Sequence, residues 1–342
     1  MRMKSAVKGA ALVFGLGASL ATHAKPQHEL VLGYMEVPGS IMQAAVDRLP
    51  ERIRKATDGR VEIRTTSSLV GGNRLLEGVR DQIIDMTIPS NGNYSGTNPE
   101  FQLTILPTIA DTSLEDALKV IHSSDYADAL NTVLRERYNA TAVMHGGWCR
   151  IVFFSPKPVT SLEDWKGLRI MSHNPGLSSL IRSVGASPVA LTVSERIPAL
   201  QRGVINGVIG DSSGAYGQGV YDVVKHASIW PVGVVPPWHV VMNRDSFAAL
   251  PADIQSAMTQ EFARFERDLL DEWNRVNDEL PARFEAKGVT WHEVPESELN
   301  RFRSKEIMQP LFDVWYKNME ARGAWKGDPR LLEQSVREAI AK

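Results

Sequence analysis

Apolar and polar residues alternate from Glu29 to Met35 and again over Val61-Glu62-Ile63-Arg64, the two-residue period of strands. Between them, Ile41 to Thr57 repeats its apolar positions at three and four, the spacing of one helical face, and Asp58-Gly59 closes it. Gly71-Gly72-Asn73-Arg74 reads as a turn feeding a helix that runs to Arg80, and Ile84 to Ile88 reads as a third strand. Pro89-Ser90-Asn91-Gly92-Asn93-Tyr94 is then a polar loop at a strand end. Leu114 to Arg137 has the pattern of one or two amphipathic helices, and Ala140 to Phe154 that of one long strand.

The stretch from Ser161 to Tyr216 has a repeating logic. Leu162, Trp165 and Leu168 lead into a short apolar run, Gly176 to Val184 has helical spacing, Ser187 to Leu191 is a strand, Ser194 to Arg202 a helix and Gly203 to Ile209 another strand. Strands and helices alternating through short connections predict an α/β fold with a parallel sheet, which binds ligands at the carboxyl ends of its strands. Asn174, Val193 and Asp211 stand at those ends. Downstream, Gly219 to His226 is expected to be helical, Ile229 to Val235 and Trp238 to Asn243 to be strands, and Ser246 to Leu250 and Pro251 to Leu280 to be helices, the second ended by Pro281. Lys287-Gly288-Val289 leads into a short strand, and Glu296 to Lys342 is mainly helix. There is no internal repeat.

At the start, Arg2, Lys4 and Lys8 precede the apolar run Gly9 to Leu20, with small residues at Ala21 and Ala24 where cleavage is expected; this is the form of a signal peptide over 1–24. The run falls short of the roughly 20 residues that span a bilayer. Loss of the leader takes the formal charge from −2 to −5. Such a balance, with no basic patch, argues against a nucleic-acid partner. A single cysteine, Cys149, excludes an internal disulfide and a cysteine-based zinc cluster. The remaining length favours two domains.

Several ordered segments carry a resemblance: Asp164-Trp165-Lys166-Gly167-Leu168-Arg169-Ile170, then Gly185-Ala186-Ser187-Pro188-Val189, then Ser194-Glu195, then Ala199-Leu200-Gln201-Arg202-Gly203-Val204-Ile205-Asn206-Gly207. Together they resemble the DctP-type periplasmic solute-binding proteins of TRAP (tripartite ATP-independent periplasmic) transporters. The resemblance implies a two-domain periplasmic-binding-protein fold with discontinuous domains, hinge strands and a long helix spanning both. The expected divisions are 25–147 plus 237–276, 148–236 plus 277–304, and C-terminal helices over 305–342. It also implies capture of an organic anion without cofactor or catalysis, and delivery to small and large membrane permease subunits.

Arg150 matches an arginine of that family's cleft, and its planar fork suits a carboxylate. The loop holding Ser90, Asn91, Asn93 and Tyr94 matches a ligand-facing loop, although its Asn and Gly are equally what a solvated turn requires. Trp148 reads either as an aromatic wall of the pocket or as core. Glu36 and Trp238, at the ends of predicted strands, complete the candidates. The chain also departs from the family's pattern. A second arginine usually follows the Gly-Leu-Arg-Ile motif, where this sequence has Met171, and aromatic positions near Ser194 have become Val193 and Ile197. The expected ligand is therefore a monocarboxylate with an apolar or aromatic body, held by Arg150 against Met171, Val193, Trp148 and Trp238, with Asp211 accepting from a hydroxyl or amino group.

A rival reading comes from Gly210-Asp211-Ser212-Ser213-Gly214, which fits the G-x-S-x-G nucleophile elbow, with His145-Gly146-Gly147-Trp148 as an oxyanion motif. A secreted esterase would then use Ser212 with Asp245 or Asp271 and His292. The histidines, His173 included, show no local metal-ligand spacing.

Overall fold

The computed structural model describes residues 26–89, 91–106, 114–123, 125–173, 175–232 and 237–341. The expected signal peptide and two candidate ligand residues, Ser90 and Asn174, lie outside them.

Eleven strands are formed among the described residues: β1 (His28–Tyr34), β2 (Val61–Thr66), β3 (Met86–Ile88), β4 (Ala140–Gly147), β5 (Ile151–Ser155), β6 (Arg169–Ser172), β7 (Ser187–Ala190), β8 (Val208–Asp211), β9 (His226–Ser228), β10 (Pro237–Asn243) and β11 (Thr290–His292). They form two bodies. One sheet has the order β2-β1-β3-β10-β4; a second has the order β11-β9-β5-β8, and the parallel pair β6-β7 is attached to it where Ile170 bridges Gly207. The first sheet is parallel over β2-β1-β3 and antiparallel where β10 joins β3 and β4.

The chain crosses between the sheets at Trp148-Cys149-Arg150. The apolar run from Ala140 to Phe154 reads as a single strand, yet it divides here into β4 and β5, because a helix takes over the ladder's hydrogen bonds. Trp273 donates through Nε1 to the Trp148 carbonyl at 2.8 Å, and the Arg150 N–H donates to the Asn277 Oδ1 at 2.7 Å.

That helix is Ala252–Glu285, 34 residues and about 51 Å long at 1.5 Å per residue. Its buried stripe, Ile254, Met258, Phe262, Phe265, Leu269, Trp273, Asn277, Leu280 and Phe284, recurs at three and four and lies along both bodies. Pro281 was expected to end it but sits inside. An internal proline costs about 3 kcal/mol, and the last turn is held by Phe284, fully buried against Phe154, Tyr216 and Trp291 at ring distances of 5.1, 5.3 and 5.9 Å.

Three further boundaries differ from the sequence reading. The strand expected over Gly203–Ile209 is β8, starting at Val208, since Gly203 (φ +65°) turns the chain and Gly207 is needed where a Cβ would meet the Phe153 ring at 2.5 Å. The strand expected over Ile229–Val235 is instead β9, pairing with β5 and β11, and Trp230 leaves it to donate to the Val159 carbonyl. The polar loop before Tyr94 contains a helical turn, Asn91–Tyr94.

The two bodies also touch beside the crossing, where the Ser212 N–H donates to the Arg150 carbonyl. Val37–Ser40, which follows β1, meets the helix Ser212–Gly217, which follows β8; a Cβ on Gly39 would lie 2.6 Å from the Gly217 Cα, and one on Gly214 would lie 3.0 Å from the Val37 Cγ1.

Candidate ligand-binding cleft

The crossing and the end of β8 bring several of the candidate residues together. Arg150 follows β4, its carbonyl accepts from the Ser212 N–H at 3.0 Å, and Ile151 pairs with Asp211 across the sheet. Its side chain is half-buried and forms no hydrogen bond or ion pair with any described residue. Asp211 caps the Ser212–Gly217 helix, accepting from the Gly214 N–H at 2.6 Å and from the Ser213 hydroxyl at 2.9 Å. Burial pushes its carboxyl up to about 6 against those bonds, although part of the residue stays open to water. His173, after β6, behaves alike: burial, then the Arg196 charge, holds its pKa below the usual histidine value, yet it remains exposed. Both groups thus stand at strand ends with protein packed around them.

The remaining candidates divide into three groups. Met171 is buried in β6 and Val193 half-buried, both packed into the second body. Trp148 is half-buried at the crossing and Trp238 fully buried on β10, its ring covering Gly146, where a Cβ would fall 2.2 Å from Trp238 Cζ2. The Trp238 Nε1 has no hydrogen-bond partner among the described residues. Asn91 is buried and bonds His239 Nε2 at 3.2 Å. The others have partners or surroundings of their own. Tyr94 is buried with its hydroxyl accepting from the Leu76 N–H at 2.9 Å and donating to Glu77 at 3.2 Å, so it holds the start of the Leu75–Arg80 helix. Asn93 is exposed, and exposed Glu36 accepts from the Ser67 hydroxyl at 2.7 Å.

Two features were missed from the sequence. Asn277 occupies a position in the helix's apolar stripe, and a polar residue at a core-facing position was the signal. Arg196 opens the helix Arg196–Gln201 and is 6 % exposed, where a cation meets the unfavourable positive end of the helix dipole.

The hydrolase constellation is not assembled. Ser212 is 1 % exposed and its Oγ has no hydrogen-bond partner among the described residues, so no base activates it. His292 is paired with His226 at 2.9 Å, Asp245 accepts from Asn139, and Asp271 is exposed on the long helix. Cys149 is buried and its thiol pushed up by burial, which makes it inert. Folding also brings together His122, His145 and Glu266, residues too distant in sequence to form a motif. His122 pairs with Glu266 at 2.5 Å, and His145 joins His239 through Nδ1 atoms 2.7 Å apart. Burial pushes His145 and His239 down to about 3, so this inner pair is neutral.

Comparison with known proteins agrees with this architecture. The chain is 24 % identical over 279 residues to the 2,3-diketo-L-gulonate-binding periplasmic protein of Escherichia coli K12, covering 80 % of this chain and 83 % of that one. It is 24 % identical over 273 residues to the C4-dicarboxylate-binding periplasmic protein of Rhodobacter capsulatus, covering 78 % and 80 %. Among solved structures, a Bordetella pertussis extracytoplasmic solute receptor binding pyroglutamic acid superimposes with a TM-score of 0.79 at 19 % identity, over 92 % of this chain and 99 % of that one. A TRAP periplasmic solute-binding protein from Desulfovibrio salexigens with bound orotic acid gives 0.80 at 19 %, over 92 % and 98 %. The family model for bacterial extracellular solute-binding proteins, family 7, matches residues 32–318, and the chain belongs to that family.

Proposed function

We propose that the protein is the solute-binding subunit of a TRAP transporter, acting in the periplasm after export. It captures a small organic anion between two lobes, divided at 25–147 plus 237–276 and 148–236 plus 277–304, and delivers it to the small and large subunits of a membrane permease. The favoured ligand is a monocarboxylate with an apolar or aromatic body. The observation that carries this reading is Arg150: a guanidinium with no ion partner among the described residues, standing where the chain passes from one sheet to the other. Met171, Trp148 and Trp238 supply apolar surface, and the unpaired Trp238 Nε1 supplies a donor. The acids held by the two structural neighbours, pyroglutamic and orotic, are cyclic monocarboxylic acids, whereas the Rhodobacter capsulatus relative binds C4-dicarboxylates, so the preference rests on this chain's own residues.

Binding works by differential affinity. Contacts from both lobes are available only in the closed form, so the ligand shifts the population towards it. A thermal-shift screen of mono- and dicarboxylates, aromatic acids, sulfonates and amino acids tests the reading. Ligand at about a hundred times its Kd should stabilise the fold by about 2.7 kcal/mol. Arg150→Ala should weaken the selected acid about tenfold or more, since a bond to a charged group is worth about 1.5 to 3 kcal/mol. A response to dicarboxylates alone, or an unchanged affinity in Arg150→Ala, would count against it.

A further inference from the structure

We propose that Arg196 is a second cationic contact of the ligand, and that Arg150, Arg196 and Asp211 together select an anion of single negative charge. The inference rests on the cleft assigned above and specifies its charge. Arginine stays protonated at any physiological pH. A buried charge is ordinarily paired, because leaving one unpaired incurs the full desolvation penalty.

Arg196 departs from this rule. It is more than nine-tenths buried, its Nε has no hydrogen-bond partner, and its one recorded bond is a long 3.4 Å contact from Nη2 to the Gly214 carbonyl. No carboxylate among the described residues lies within ion-pair distance of it. Its chain neighbour Glu195 is turned back to accept from the Thr192 N–H at 2.8 Å and the Thr192 hydroxyl at 2.7 Å. Asp211 attracts it electrostatically, but the Asp211 oxygens are occupied by Gly214 and Ser213.

The guanidinium is also in the right place. Its Nη1 would lie 3.4 Å from a Cβ on Gly210, next to Asp211 at the end of β8, and its charge is felt by His173 at the end of β6. Arg150 stands on the strand paired with β8. On this assignment a ligand between the β5 and β8 ends would meet two guanidinium groups, one carboxylate and a neutral imidazole, a net charge of about +1 near neutral pH. One carboxylate on the ligand balances it; a second would be left uncompensated in a desolvated site.

Isothermal titration of the mature wild type, R196M and R196K with pyroglutamate, orotate and succinate tests the proposal, together with the Tm of each ligand-free protein. Methionine keeps the volume and removes the charge. The expected result is that wild type prefers a monocarboxylate to succinate and that R196M binds it at least tenfold more weakly. R196K should recover part of the loss, and the ligand-free R196M should melt no lower than wild type. R196M binding as wild type does, a ligand-free Tm lowered by more than about 4 °C, or tighter binding of succinate would overturn it. If wild type binds none of the three acids, the transport reading fails for these probes, and formate decides the inference separately. At matched ionic strength against chloride, formate should raise the Tm of wild type and not of R196M; the same response in both, or in neither, would refute the role of Arg196.

Discussion

Gly217→Ala offers a test of lobe closure that leaves the ligand contacts untouched. A methyl group at Gly217 would sit 2.2 Å from the Pro38 carbonyl oxygen, 2.7 Å from the Gly39 Cα and 2.9 Å from the Pro38 carbonyl carbon. Ordinary contacts begin near 3.4 Å, so the two backbones must part by more than half an ångström. Overpacking of this kind costs about 1 to 3 kcal/mol. Within its own helix the change is benign, since alanine is the better helix former by up to about 1 kcal/mol. On the proposed closure, with the Pro38–Gly217 contact made when the lobes shut, the penalty falls on the closed form. Because ligand is retained through closure, affinity should drop by about 5- to 150-fold while the ligand-free Tm is unchanged or raised. Gly39 is a poorer site for this experiment, as its φ of +77° would strain any side chain. Titration calorimetry with the acid selected by the screen measures the affinity, and small-angle scattering with and without it measures the compaction. Wild-type affinity together with wild-type compaction would refute the assignment of the Pro38–Gly217 contact to the ligand-bound form.

Three other outcomes are expected. The Asp211 carboxyl, held up at about 6 from an ordinary 3.8 chiefly by burial, favours the fold when protonated; its contribution is fully present below about pH 4 and is lost as the pH rises through 6. With the Arg196 charge acting on it, affinity for a monoanion should increase from pH 7.5 to 5.5, and Asp211→Asn should flatten that dependence; a slope retained in the variant would exclude Asp211 as its source. Asn277→Ala leaves the Arg150 N–H without its partner and should lower stability by about 1 to 3 kcal/mol, read from urea unfolding, with ligand affinity falling as well. Purified protein should hydrolyse no chromogenic ester in a Ser212-dependent manner; activity lost on Ser212→Ala would restore the hydrolase reading.

Much of the fold was legible because its elements follow local periodicity. The Ser40-capped helix Ile41–Ala56, the strands β1 and β2, and the last helices all fall where the apolar spacing places them. The sequence was misleading wherever a distant segment supplied the deciding contact. Nothing local marks the break at Trp148–Arg150, since Trp273 and Asn277 create it from more than 120 residues away. Pro281 reads as a stop because the aromatic packing that holds Phe284 cannot be seen in the surrounding residues. Arg150 was singled out by resemblance. Arg196 was overlooked because a charged residue at a helix start looks solvated until the fold buries it.

The long helix contains a built-in point of compliance. Proline at 281 has no N–H to offer the Asn277 carbonyl four residues earlier, so one rung of the helix is missing. The side chain of that same Asn277 grips the backbone of Arg150. The rod thus lacks one rung at the turn whose side chain holds the backbone of Arg150, so a bend taken up there would be felt at the crossing. Substituting Pro281 by alanine would stiffen the rod and, by the same linkage, slow or restrict the movement that brings Arg150 onto its ligand.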